Sequence, residues 1–153
     1  MIHGNKQYLW LLVFINLGFP PQWHVNMREA KLIAKKEHRL ILLNFSGSDW
    51  CGPCIMLRKD IFDDPAFLEF ADSALVLVNA DFPRMKKNQL SGQQQQQNDQ
   101  LADQYNSQGK FPLTVLLDSD GKVIKQWEGN PSVKAADFSI QIKSFIDSGA
   151  ASL

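Results

Sequence analysis

Cys51 and Cys54 are the only cysteines of the chain and lie three positions apart. Thiol–disulfide exchange is the chemistry that such a pair can do. Only a thiolate attacks a disulfide, and a thiol near pH 7 is mostly protonated, so a working cysteine needs help ionising. Pro53 fits a first-turn helical position whose amide needs no partner, which puts Cys51 at the N-terminus of a helix. Unpaired backbone amides and the positive end of the helix dipole favour negative sulfur there, marking Cys51 as the nucleophile. Cys54, one turn further in, is shielded and can attack the mixed disulfide formed on Cys51, releasing the substrate as a thiol. A C-x-x-C alone also arises in metal sites and by chance. A structural disulfide closing so short a loop adds little stability. Zinc usually takes four protein ligands, and beyond the thiols only the scattered His3, His24 and His38 are on offer, so no metal is expected.

The elements that must position this pair follow from composition and periodicity. With 153 residues and 44% hydrophobic content the chain has material for one domain with a core. Its 16 acidic and 16 basic side chains cancel, so no polyanion-binding surface and no nucleic-acid partner are expected. Helical spacing begins after Asn26, a candidate N-cap, with Ala30, Ile33 and Ala34 on one face. Leu40 to Phe45 is apolar except for Asn44 and reads as a strand covered on both faces, leading directly into the cysteines. A helix from Cys51 carries Ile55, Leu57, Ile61 and Phe62, and a short helical stretch around Pro65 to Ala71 precedes a second strand, Leu75 to Ala80. Lys86 to Gln100, with Gln93 to Gln97 in succession, reads as a solvated loop leading into a helix over Asp99 to Tyr105. Leu113 to Leu117 and Val123 to Trp127 flank Asp118-Ser119-Asp120-Gly121 as an antiparallel hairpin, with Gly121 supplying a positive φ. Ser132 to Ile146 closes the domain as a helix. The order implies an α/β fold, a central mixed sheet with helices on both faces, its first two full strands parallel.

Residues 1–21 stand apart. The apolar run from Tyr8 to Phe19, broken by Asn16 and Gly18 and followed by Pro20-Pro21, is shorter than the about 20 residues of a spanning helix and reads as a secretory signal peptide. The competing reading is a buried N-terminal element of the domain itself. Residues 22–153 then form the folded domain, in the periplasm or another exported location, with the cytoplasm as the alternative.

Trp50-Cys51-Gly52-Pro53-Cys54, standing between a buried strand and a helix, resembles the active-site segment of the thioredoxin family, and the resemblance runs from about Gln22 to Phe145. It implies the thioredoxin fold and a redox-active Cys51–Cys54 disulfide that needs no further cofactor. It further implies that Phe111-Pro112 carries the family's cis-proline, whose loop binds extended substrate backbone, and that Gly129 completes the substrate groove. Trp50 becomes either an apolar contact surface for substrates or a packing aromatic, and Gly52-Pro53 is the dipeptide of reducing members. Two positions depart from the pattern: Asn44 stands where the family carries a buried aspartate, and its lysine partner falls on Leu77. Losing both together avoids a lone buried charge, which would cost about 3–5 kcal/mol. The proton of Cys54 would then leave through a water held by Asn44 or through Asp49, unless Asp49 is simply a solvated charge.

The function expected is reduction of protein disulfides, closest to bacterial exported thioredoxin-like reductase domains. The partners expected are disulfide-containing proteins and a membrane or soluble thiol electron donor, with the protein a monomer. The alternatives are a disulfide oxidase or isomerase using the same cysteines, and a non-catalytic module that binds peptides through Trp50, Phe111-Pro112 and Gly129.

Overall fold

The computed structural model describes residues 20–149. The apolar run from Tyr8 to Phe19 lies outside them. Strand β1 (Trp23–His24) is followed by α1 (Met27–Glu37), β2 (Leu40–Ser46) and α2 (Gly52–Leu57), which continues through one π-helical turn, Arg58–Phe62. Then come α3 (Pro65–Ala74), β3 (Leu75–Asp81), a 3₁₀ turn (Lys86–Asn88), α4 (Gly92–Tyr105), the β4 (Leu113–Leu117) and β5 (Val123–Glu128) hairpin, and α5 (Ala135–Asp147). The sheet order is β1-β3-β2-β4-β5. The first three are mutually parallel, and β4 and β5 each run antiparallel to their neighbour. This mixed sheet with helices on both faces is the thioredoxin fold.

Alternation along the strands divides the core in two. Ile41, Leu43 and Phe45 of β2 point to the side covered by α1 and α4, where Ala30, Ala34 and Leu101 meet Val76 and Val78. Leu40 and Leu42 point the other way, into a layer built by α2, α3 and α5 around Phe62, Phe67 and Phe138. Burial on both faces explains why β2 and β3 read as nearly continuous apolar runs. Asn26 caps α1 as its residue type suggests, accepting from the amides of Arg28 (3.0 Å) and Glu29 (3.2 Å). Gly121 holds φ 91 beside the hairpin turn, where a Cβ would come within 2.8 Å of the Tyr105 hydroxyl.

Two sequence readings need correction, and one strand was missed. The glutamine run is not a loop: α4 begins at Gly92, capped by the Ser91 hydroxyl on the Gln94 amide (3.2 Å), and takes in every residue of the run. Glutamine is a good helix former, and polar composition marks exposure rather than irregular backbone. The closing helix starts at Ala135, not Ser132, because Ser132 sits at φ 52, outside the right-handed helical region. The two-residue β1 went unread because it is too short to show a period.

Candidate active site

Strand β2 ends at Ser46, and the turn Gly47–Trp50 carries the chain to Cys51, whose amide donates to the Gly47 carbonyl at 2.9 Å. Cys51 is the N-cap of α2: its backbone is extended (φ −92, ψ 97), and its Sγ accepts the Cys54 amide at 3.3 Å. Gly52 and Pro53 occupy the first turn, where the N–H that proline lacks would have had no helical partner. Cys51 and Cys54 are joined as a disulfide, with Cα atoms 5.2 Å apart, and both are buried.

Trp50 is half-buried and held from four sides. Its indole N–H donates to the Phe82 carbonyl at 2.7 Å, and its ring meets Phe111 edge-on at 5.5 Å. The Arg84 guanidinium stacks 3.7 Å from the ring centroid. On the remaining side lies Gly47, where any Cβ would fall 2.3 Å from Trp50 Cε2. These contacts make Trp50 a packing aromatic that keeps part of its surface exposed. The Phe111–Pro112 peptide is cis, and the Pro112 carbonyl accepts the Gly129 amide at 2.9 Å, with Gly129 at φ 70. Trp50, Phe111, the buried Pro112 and Gly129 are thus linked contact by contact.

Asn44 is buried on the other side of the disulfide. Its Nδ2 donates to Asn79 Oδ1 (3.1 Å), and its Oδ1 accepts from Thr114 Oγ1 (3.4 Å). Asn79 is the side chain that faces it across the parallel ladder, while Leu77 pairs with Leu42 one full alternation away. Asn44, Asn79 and Thr114 therefore form a neutral hydrogen-bonded triad. A cleft of ≈ 280 Å³ opens between these amides and Cys54, lined also by Ser46, Ile55 and Arg58.

Asp49 does not line that cleft. Its carboxylate accepts from the Arg84 amide, the Met85 amide and Asn88 Nδ2, each at 2.9 Å. The Arg84 amide first, then Asn88, hold its pKa below the ordinary carboxylate value. It braces the 84–88 segment from a partly exposed position. Ser48, Asp81 and Arg84 are site residues that sequence reasoning missed. The Ser48 amide and hydroxyl both donate to Asp81, at 2.9 and 2.5 Å, tying the turn before Cys51 to the end of β3. The available signal was the parallel pairing of β2 with β3, which places Ser46 opposite Asp81.

Two sulfurs at a helix start, one capping the helix and one buried beneath it, suit thiol–disulfide exchange. The chain belongs to the thioredoxin-like domain family, whose model matches residues 27–145. It is similar to the disulfide bond reductase DsbH of Chlamydia pneumoniae, with 37% identity over 115 residues, covering 75% of this chain and 67% of that protein. Among solved structures it is similar to a DsbH oxidoreductase, with 31% identity, 95% of each chain covered and a TM-score of 0.76. A thioredoxin from Thermus thermophilus, at 18% identity and a TM-score of 0.60 over 87% of this chain and 92% of that one, shares the fold.

Proposed function

We propose that this protein reduces disulfides in proteins of an exported compartment, cycling Cys51 and Cys54 between dithiol and disulfide. The observation that carries the direction is the similarity to a disulfide bond reductase, 37% identical over 115 residues, and Gly52-Pro53 between the cysteines supports the same direction.

In this reading the Cys51 thiolate attacks one sulfur of a substrate disulfide, and the other sulfur leaves as a thiolate that takes a proton. Cys54 loses its proton into the cleft bounded by Asn44 and attacks Cys51 Sγ, releasing the second substrate thiol. Two electrons have passed to the substrate, and the Cys51–Cys54 disulfide remains, to be reduced by a thiol or membrane donor. Trp50, Phe111, Pro112 and Gly129 hold the substrate backbone. The protein acts as a monomer. Residues 1–21 direct export, a role supported by the apolar run from Tyr8 to Phe19. Mass spectrometry of the mature N-terminus in cell fractions tests that assignment.

The deciding measurement for direction is the equilibrium potential of the cysteine pair in thiol buffers. The reductase should fall near the about −270 mV of thioredoxin, whereas a value near about −120 mV would make the protein a disulfide donor. A Cys54→Ser variant should accumulate mixed disulfides on Cys51, since the attacking sulfur is kept and the resolving one lost.

A further inference from the structure

The 84–88 segment places three exposed cations, Arg84, Lys86 and Lys87, beside the residue that precedes the nucleophile. Among the described residues none of the three forms an ion pair. The Asp49 carboxylate spends its oxygens on the Arg84 and Met85 amides and on Asn88. It fixes where the segment lies without bonding to the guanidinium. Arg84 is thus pinned twice, by its amide on Asp49 and by its side chain flat against Trp50. A guanidinium laid on an indole keeps its N–H edge available for a planar anion. Beside it runs an open groove walled by Trp50, Phe82, Pro83 and Phe111.

Largely apolar walls, with Gln95 among them and the fixed, unneutralised Arg84 cation lining the same groove, suit an extended peptide bearing a carboxylate. Building on the reductase reading, we propose that the Arg84–Lys87 segment is a specificity determinant that selects substrate disulfides flanked by aspartate or glutamate. Charges at the rim of a contact act mainly on association rate and partner choice. In a chain of zero net charge this patch is a local feature, present in the sequence as Arg84-Met85-Lys86-Lys87 and set beside Trp50 by folding.

The test uses three disulfide peptides of one sequence with acidic, amide or basic residues flanking the cysteine. Affinity is read from indole fluorescence in the Cys51→Ser, Cys54→Ser protein, and kcat/KM for reduction in the wild type. Each rim charge pair is worth up to about fivefold, so the acidic peptide should exceed the basic one by about tenfold at low salt. The ratio should fall toward about twofold in Arg84→Gln, and also near 0.5 M salt, where the Debye length shrinks to a few ångströms. Arg84→Lys should keep an intermediate ratio, and Lys86→Gln with Lys87→Gln should lower it without touching the Trp50 stack. Equal binding and equal kcat/KM for all three peptides would overturn the proposal and leave the reductase intact. Tightest binding of the acidic peptide with no reduction of any would keep the docking site and defeat the reductase reading.

Discussion

The Asp49 carboxylate bonds two backbone amides and one side-chain amide of a segment 35 residues or more further along the chain. Those donors prefer the ionised form, which is why its pKa is lowered from 3.8. A carboxyl depressed in the folded state contributes stability that is complete above its unfolded value and is lost as pH falls through its folded value. The difference in melting temperature between wild type and Asp49→Ala should therefore be full at pH 6 and shrink as pH drops below about 4. If Asp49 only braces this segment, the variant should also resolve Cys51 mixed disulfides at the wild-type rate. A slowed rate would make Asp49 the proton acceptor. Asn44 is positioned differently, within the cleft on which Cys54 opens, and its neutrality leaves no buried charge to compensate.

Helix α4 illustrates how a polar element is anchored. Gln94 Nε2 donates to the Val25 carbonyl and to Asn98 Oδ1, both at 2.9 Å, and Asn98 Nδ2 donates to the Asp81 carbonyl at 2.8 Å. Because Asp81 also holds Ser48, a polar chain runs from the glutamine-rich helix to the turn before Cys51. Asn98 is 1% exposed, so Asn98→Ala should strip the Asp81 carbonyl of that donor at a cost of about 1–3 kcal/mol, read by urea unfolding. Gln95, whose side chain bonds Asp99 on the exposed face, should tolerate alanine within about 0.5 kcal/mol. Equal losses at the two positions would mean that helix propensity, not anchoring, governs α4.

At the scale of the molecule the sheet separates two apolar layers, and the one beneath the cysteines is the more aromatic. Phe138 of α5 is fully buried and lies within 6.4 Å of Phe62 and Phe67 and 5.0 Å of Trp127, ring centre to ring centre. It joins the C-terminal helix to the π turn that continues the active-site helix. Phe138→Ala should cost about 3–5 kcal/mol in chemical denaturation, because these rings belong to different elements and cannot collapse together into the cavity. A cost below about 1 kcal/mol would show that α5 packs independently of the site.

What was legible in the sequence is what local chemistry dictates. The cysteine spacing, the proline in the first helical turn, the two-sided apolar strands and the turn glycine each constrain a few neighbouring residues strongly. Together they placed β2, Cys51 and α2 correctly. The glutamine run was misread because composition reports solvation, while backbone conformation depends on the Ser91 cap and on Asn98 docking against Asp81. Tertiary structure alone decided the contacts made across the sheet. Asn44 found Asn79 instead of Leu77 because parallel register sets which side chains share a face. Asp49 and Trp50 acquired Arg84 because the loop after β3 folds back over the turn after β2. Such partners are separated by tens of residues, and no local pattern along the chain records which of them will meet.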